Sequence, residues 1–197
     1  MTDRILSHSS FSHIVDVPIE RIDIADWLFN LPEAEYQRCC PPDHIAAGAT
    51  STDDGRRMSI NVEMIGETLM IQHYVGEITE PHLCRMASLS DAISANGRTK
   101  VHVLWELSVK PISSRRCEYT NSVTATPTEE FLDFIKRHGI SFEQAAAARQ
   151  AAGGDPVDCF GQDRFEFSLP WLVSPNHCAL LPSPAILIAS PSHASGF

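Results

Sequence analysis

The stretch 99–152 constrains this chain more than any other. Residues 100–109, KVHVLWELSV, read as one strand, and residues 117–126, CEYTNSVTAT, as the next, with Pro111 and Ser113-Ser114 turning the chain between them. Val101, Val103, Trp105, Leu107 and Val109 alternate in phase, so one face of the first strand is core. Thr128 then offers a capping hydroxyl, and Glu129 and Glu130 place carboxylates at the positive end of a helix dipole. The helix carries Phe131, Leu132, Phe134 and Ile135, then Phe142 and an alanine run. Gly139 predicts a kink or break between 131–138 and 141–152. A β-hairpin that delivers a C-terminal helix implies a curved antiparallel sheet closed by that helix, with a pocket between them.

The upstream chain supplies the rest of the sheet. In residues 8–17, Phe11, His13, Val15 and Val17 share one face of a first strand. Residues 19–31 place Ile19, Ile22, Ile24, Trp27, Leu28 and Leu31 near helical spacing, which predicts a short helix or two helical turns. Pro32 ends that segment, and Pro41-Pro42 marks a loop. Further strands are expected at 44–52, 57–65, 68–78 and 82–93. Asp53-Asp54-Gly55, Gly66-Glu67 and Asn96-Gly97 turn the chain between strands. In 57–65, Met58, Ile60, Val62 and Met64 face one way and Ser59, Asn61 and Glu63 the other. In 68–78, Leu69, Ile71, His73 and Val75 alternate together, which predicts an inward His73. The short connections imply an α+β fold built on an antiparallel meander of about seven strands.

The 197 residues allow one domain with a tail, and a 43% hydrophobic content suffices for a core. A formal charge of −10, scattered along the chain, disfavours nucleic acid and anionic membrane as partners. The six cysteines, Cys39, Cys40, Cys84, Cys117, Cys159 and Cys178, form no CxxC or regular framework. With no signal-peptide core at the N-terminus, reduced thiols in a cytoplasmic protein are expected. Gly153-Gly154-Asp155-Pro156 breaks the helix, and no Asp, Glu, Lys or Arg follows from Ser168 to Phe197. Residues 1–152 therefore read as a ligand-binding domain and 153–197 as a Pro-rich C-terminal extension. A homodimer formed through that extension is one reading of its uncharged character.

Several strings resemble the START-like, SRPBCC (birch-pollen-allergen-like, polyketide cyclase-like) helix-grip superfamily. They are LMIQHYV at 69–75, VLWELSVKP at 103–111, TNSVT at 120–124 and FLDFIKRHGISFEQA at 131–145. The resemblance covers roughly residues 10–152 and implies a curved sheet wrapped on a long C-terminal helix around an internal hydrophobic cavity. It implies a hydrophobic small molecule as ligand, with cyclases, isomerases, hydrolases and plain carriers all represented, so the fold does not select the reaction. A distant metal-dependent relative, diacetylphloroglucinol hydrolase, pairs a His-x-x-x-Glu on the helix with a His and a Glu from the sheet. His73 and Glu106 are the matching sheet pair here. The helix motif is replaced by GGDPVDCF at 153–160.

These residues define the functional expectations. His73 is the leading acid–base group, because imidazole is suited to proton transfer near neutral pH. Glu106 shares a face with His102 and Leu104 and is either a cavity acid or a surface carboxylate. No cofactor is expected; the alternative is zinc, with His73 and Glu106 as ligands and His102, His44, Asp155, Asp158 or Cys159 completing the set. Tyr74, Trp105, Tyr119, Asn121, Phe131 and Phe134 are candidates to bind substrate. The leading expectation is an enzyme of secondary metabolism acting on an aromatic or polyketide-like substrate by cyclisation, isomerisation or hydrolysis. The alternative is a carrier without turnover.

Overall fold

The computed structural model describes residues 4–152. Seven strands, β1 (Ser7–Val15), β2 (His44–Ser51), β3 (Arg57–Ile65), β4 (Thr68–Glu80), β5 (Leu83–Ser94), β6 (Gly97–Ser113) and β7 (Arg116–Pro127), form one antiparallel sheet. Their order is β1-β7-β6-β5-β4-β3-β2. The chain thus runs β2 to β7 as a meander, and β1 returns to the β7 edge with His13 opposite Tyr119. The β5–β6 turn depends on Gly97, whose φ of 122° is rarely open to residues with a Cβ.

Between β1 and β2 lie a 3-10 turn (Ile19–Arg21), α1 (Ile24–Phe29) and α2 (Glu33–Cys39). Asp23 caps α1, its carboxylate accepting from the Asp26 backbone N–H at 2.8 Å. The helix buries Ile24, Ala25, Leu28 and Phe29. The sequence did not predict α2. Pro32 stops one segment, but it also stands at the N-cap of the next, where a fixed φ and a missing N–H are no handicap.

The C-terminal helix is divided. α3 (Glu129–Arg137) and α4 (Phe142–Ala152) are parted at Gly139, which takes φ 68°. Thr128 accepts from the Phe131 N–H at 3.0 Å and donates to the Lys100 carbonyl at 2.6 Å, so one hydroxyl both caps α3 and ties it to β6. Ser141 and Gln144 cap α4 reciprocally at 3.1 and 2.9 Å. The long helix expected here is therefore a pair of shorter ones among the described residues.

The inner face of the sheet carries Met70, Tyr74, Cys84, Met86, Val101, Val103, Leu107, Val109, Cys117 and Tyr119, packed with α1. It also buries Ser59, Asn61, Gln72, Ser88, Ser90, Thr99 and Asn121. The interior is thus more polar than a purely hydrophobic cavity. A groove of about 340 Å³ lies on the opposite face, lined by Ala87, Leu89, His102, Leu104, Thr124 and Thr126. Among the described residues no helix is long and apolar enough to cross a membrane. The expected extension and its dimer contact, with Asp155, Asp158, Cys159 and Cys178, lie outside the described residues.

Candidate functional site in the sheet interior

The register of β3 against β4 decides which side chains look inward. Ser59 stands opposite Tyr74, Asn61 opposite Gln72, and Ile60 opposite His73. Residues directly opposite in an antiparallel pair share a face. Ser59, Asn61, Gln72 and Tyr74 are buried, so Ile60 and His73 must point out. His73 is exposed, which corrects the expectation of an inward imidazole. The set Ile71, His73, Val75 and the set Met70, Gln72, Tyr74 are similarly apolar, so alternation alone could not choose between them. Pairing with β3 does.

Glu106 also lies on the outer face, where Arg85 Nε donates to its Oε2 at 2.7 Å across the β5–β6 pair. His73 is not in its row: Glu106 aligns with Arg85 and Ser122. The surface-carboxylate reading of Glu106 thus fits the structure, and the His73–Glu106 pair does not assemble. Among the described residues no three His, Cys, Asp or Glu side chains converge as a metal site.

Three of the candidate substrate-binding residues do come together inside. The Tyr74 and Trp105 rings lie 5.1 Å apart at 59°. Trp105 Nε1 donates to Asn121 Oδ1 at 2.9 Å, which fixes the amide orientation and leaves its NH₂ for another acceptor. Tyr119 is buried two residues along β7, and burial pushes its hydroxyl well above the ordinary tyrosine range. Phe134 is buried against the β5–β6 turn, while Phe131 is half-buried at the core.

Among the described residues, Glu63 brings a half-buried carboxyl to this inner face. It continues the Ser59–Asn61 face of β3, and a fifth of its side chain reaches solvent. The Tyr36 hydroxyl donates to its Oε2 over a long 3.5 Å. Gln72 is buried on the same face and opposes the rise of both the Glu63 carboxyl and the Tyr74 hydroxyl. His44, its cross-strand partner on β2, holds Nε2 at 3.6 Å from Oε2. Burial pushes the Glu63 carboxyl above the usual carboxylate range, against the opposing pull of the Arg149 charge. The buried hydroxyl of Tyr74 is raised for the same first reason, with the Glu63 charge adding to it. A carboxyl raised above its ordinary range moves toward the region suited to both acid and base work.

Sequence reasoning missed Glu63 because a Ser-x-Asn-x-Glu stripe opposite Met58, Ile60, Val62 and Met64 reads as solvent-facing. It missed Arg149 because that residue ends an alanine run. The available signal was its place seven residues after Phe142, on the same helical stripe.

The fold is similar to the Zhui aromatase/cyclase from Streptomyces sp. R1128, with a TM-score of 0.50 and 11% identity over 84% of this chain and 90% of that one. A START superfamily protein from Mycobacterium smegmatis matches with a TM-score of 0.42 and 13% identity, over 73% of this chain and 94% of that one. Norcoclaurine synthase from Thalictrum flavum matches with a TM-score of 0.41 and 13% identity, over 82% and 96%. The architecture is the START-like helix-grip fold. No protein-family model and no curated protein matches the sequence.

Proposed function

We propose that this chain, with the START-like fold, is a small-molecule enzyme of the polyketide cyclase-like type. It takes a hydrophobic aromatic or polyketide-like molecule between the inner sheet face and α3–α4 and acts on it by acid–base catalysis. The observation that carries this reading is Glu63: a carboxyl on the inner face, raised by burial, whose charge acts on the buried hydroxyl of Tyr74. A similar fold is that of an aromatase/cyclase, which fits the proposal at the level of architecture.

In this reading the Glu63 carboxylate removes the proton α to a substrate carbonyl, and the electron pair of that C–H bond becomes an enolate. Tyr74 and the free amide hydrogens of Asn121 orient the oxygen, and the Trp105 ring supports the flat part of the substrate. Return of the proton from Glu63 to carbon closes an isomerisation. Attack of the enolate carbon on a second carbonyl closes a ring, the C=O π pair passing to oxygen as an alkoxide that takes the proton from Glu63. The test is α-hydrogen exchange of 2-tetralone in deuterated water, followed by proton NMR. Exchange above the buffer rate that is lost in Glu63→Gln is expected. Exchange at the buffer rate in the unaltered chain overturns the proposal.

A carrier without turnover is the second reading, favoured by the aromatic contact of Tyr74 and Trp105. It predicts 2-tetralone binding, seen as quenching of tryptophan fluorescence, with no exchange.

A further inference from the structure

Helix α4 places one charge where a helix packed on a sheet normally carries apolar residues. Phe142 and Ala146 pack against the core. Arg149 follows at the third residue after Ala146 and the seventh after Phe142, so it continues their stripe. Two contacts fix the helix around its axis. Gln150 Oε1 accepts from the His8 backbone N–H at 3.0 Å, which points that side of α4 at β1. The end of the helix abuts the β3–β4 turn, where a Cβ built on Gly66 would sit 3.0 Å from the Ala152 Cβ. Arg149, about 100° round from Gln150, therefore faces the inner side of β3, and its charge acts on Glu63 and Tyr74.

Arg149 is half-buried, and a guanidinium partly withdrawn from water needs acceptors, since it has five N–H donors and cannot shed its charge. Among the described residues Arg149 makes no ion pair within 4.0 Å and no hydrogen bond. Glu63 acts on it from beyond ion-pair distance, and burial of that carboxyl opposes its ionisation. Arg149 therefore brings a planar, cationic donor without an ion pair to the side of the sheet that carries the Tyr74 and Trp105 rings.

We infer that Arg149 is the anchor for an oxyanion on the ligand, so that the interior selects aromatic molecules bearing a carboxylate, sulfonate or enolate oxygen over their neutral counterparts. This rests on the proposed interior binding site and adds to it the charge of the preferred ligand. An oxyanion suits the fork of a guanidinium, which can donate two parallel hydrogen bonds to it. The adjacent aromatic rings supply the apolar contact for the rest of the molecule.

The test compares two fluorescent probes that share one aromatic scaffold, using the full chain. One is 8-anilinonaphthalene-1-sulfonate, and the other is N-phenyl-1-naphthylamine, which lacks the sulfonate. The anionic probe is expected to bind about tenfold tighter. Arg149→Met should remove that preference and leave the neutral probe within about twofold of its original affinity, while Arg149→Lys should keep part of it. Circular dichroism confirms that each variant is folded, and Arg149→Gln replaces Arg149→Met if the latter is not. A preference unchanged in the variants overturns the inference while leaving interior binding intact. Failure of the unaltered chain to bind the neutral probe overturns the interior site itself.

Discussion

His44 turns its Nε2 toward the Glu63 carboxylate at 3.6 Å because its Nδ1 is engaged by the Tyr36 carbonyl at 2.8 Å. A carbonyl only accepts, so Nδ1 carries the hydrogen and Nε2 presents its lone pair to Glu63. The ring is held flat on Tyr36, with centroids 4.0 Å apart and planes 3° from parallel. Burial lowers the His44 pKa and raises that of the Glu63 carboxyl, so both shifts favour the uncharged forms. Long-range proton–nitrogen NMR at neutral pH should show the Nδ1–H tautomer. On acidification His44 should protonate below the ordinary histidine range, and an Nε2–H tautomer would contradict this geometry.

Glu63 should make stability depend on pH in a defined direction. Its carboxyl is raised in the folded chain, so its stabilising contribution is full below the unfolded carboxylate pKa. That contribution is lost as pH rises through the folded value. Glu63→Gln removes the ionisation. Relative to the unaltered chain, the variant should therefore gain in melting temperature between about pH 5 and about pH 8. A difference that stays flat across that range would show that Glu63 is not held toward its neutral form.

Asn121 accepts the indole N–H of Trp105 inside the sheet. Asn121→Ala leaves that donor without its partner and should cost about 1–3 kcal/mol in denaturant unfolding. Trp105→Phe removes the donor as well, so the double variant should lose less than the sum of the two single changes. Additive losses would mean that the hydrogen bond does not couple the two residues.

Thr128→Val keeps the shape of the side chain but loses both the α3 cap and the bond to Lys100. A loss of about 1–2 kcal/mol is expected in urea unfolding. Thr128→Ser retains the hydroxyl and should recover most of it.

His73→Ala should change stability by no more than about 0.5 kcal/mol, as for an exposed residue. Binding of N-phenyl-1-naphthylamine should be unaltered. A lost binding signal in this variant would return His73 to the ligand site.

The amino-acid sequence was enough to set the order of the strands, the turn at Asn96-Gly97, the Thr128 cap and the break at Gly139, while β6 runs from Gly97 to Ser113, well beyond the expected 100–109. These are local matters, set by alternation, by positive φ and by capping hydroxyls within a few residues. It also placed Val101, Val103, Trp105, Leu107 and Val109 together, because the opposite set contains His102, Glu106 and Lys110 and the contrast is strong. On β4 the two alternating sets differ too little for such a choice. Only pairing with β3 turned Tyr74 in and His73 out. Glu63, His44 and Arg149 come from β3, β2 and α4. No spacing rule joins them, because they come to one side of the molecule only after the sheet has formed and α4 has packed at its β1 edge.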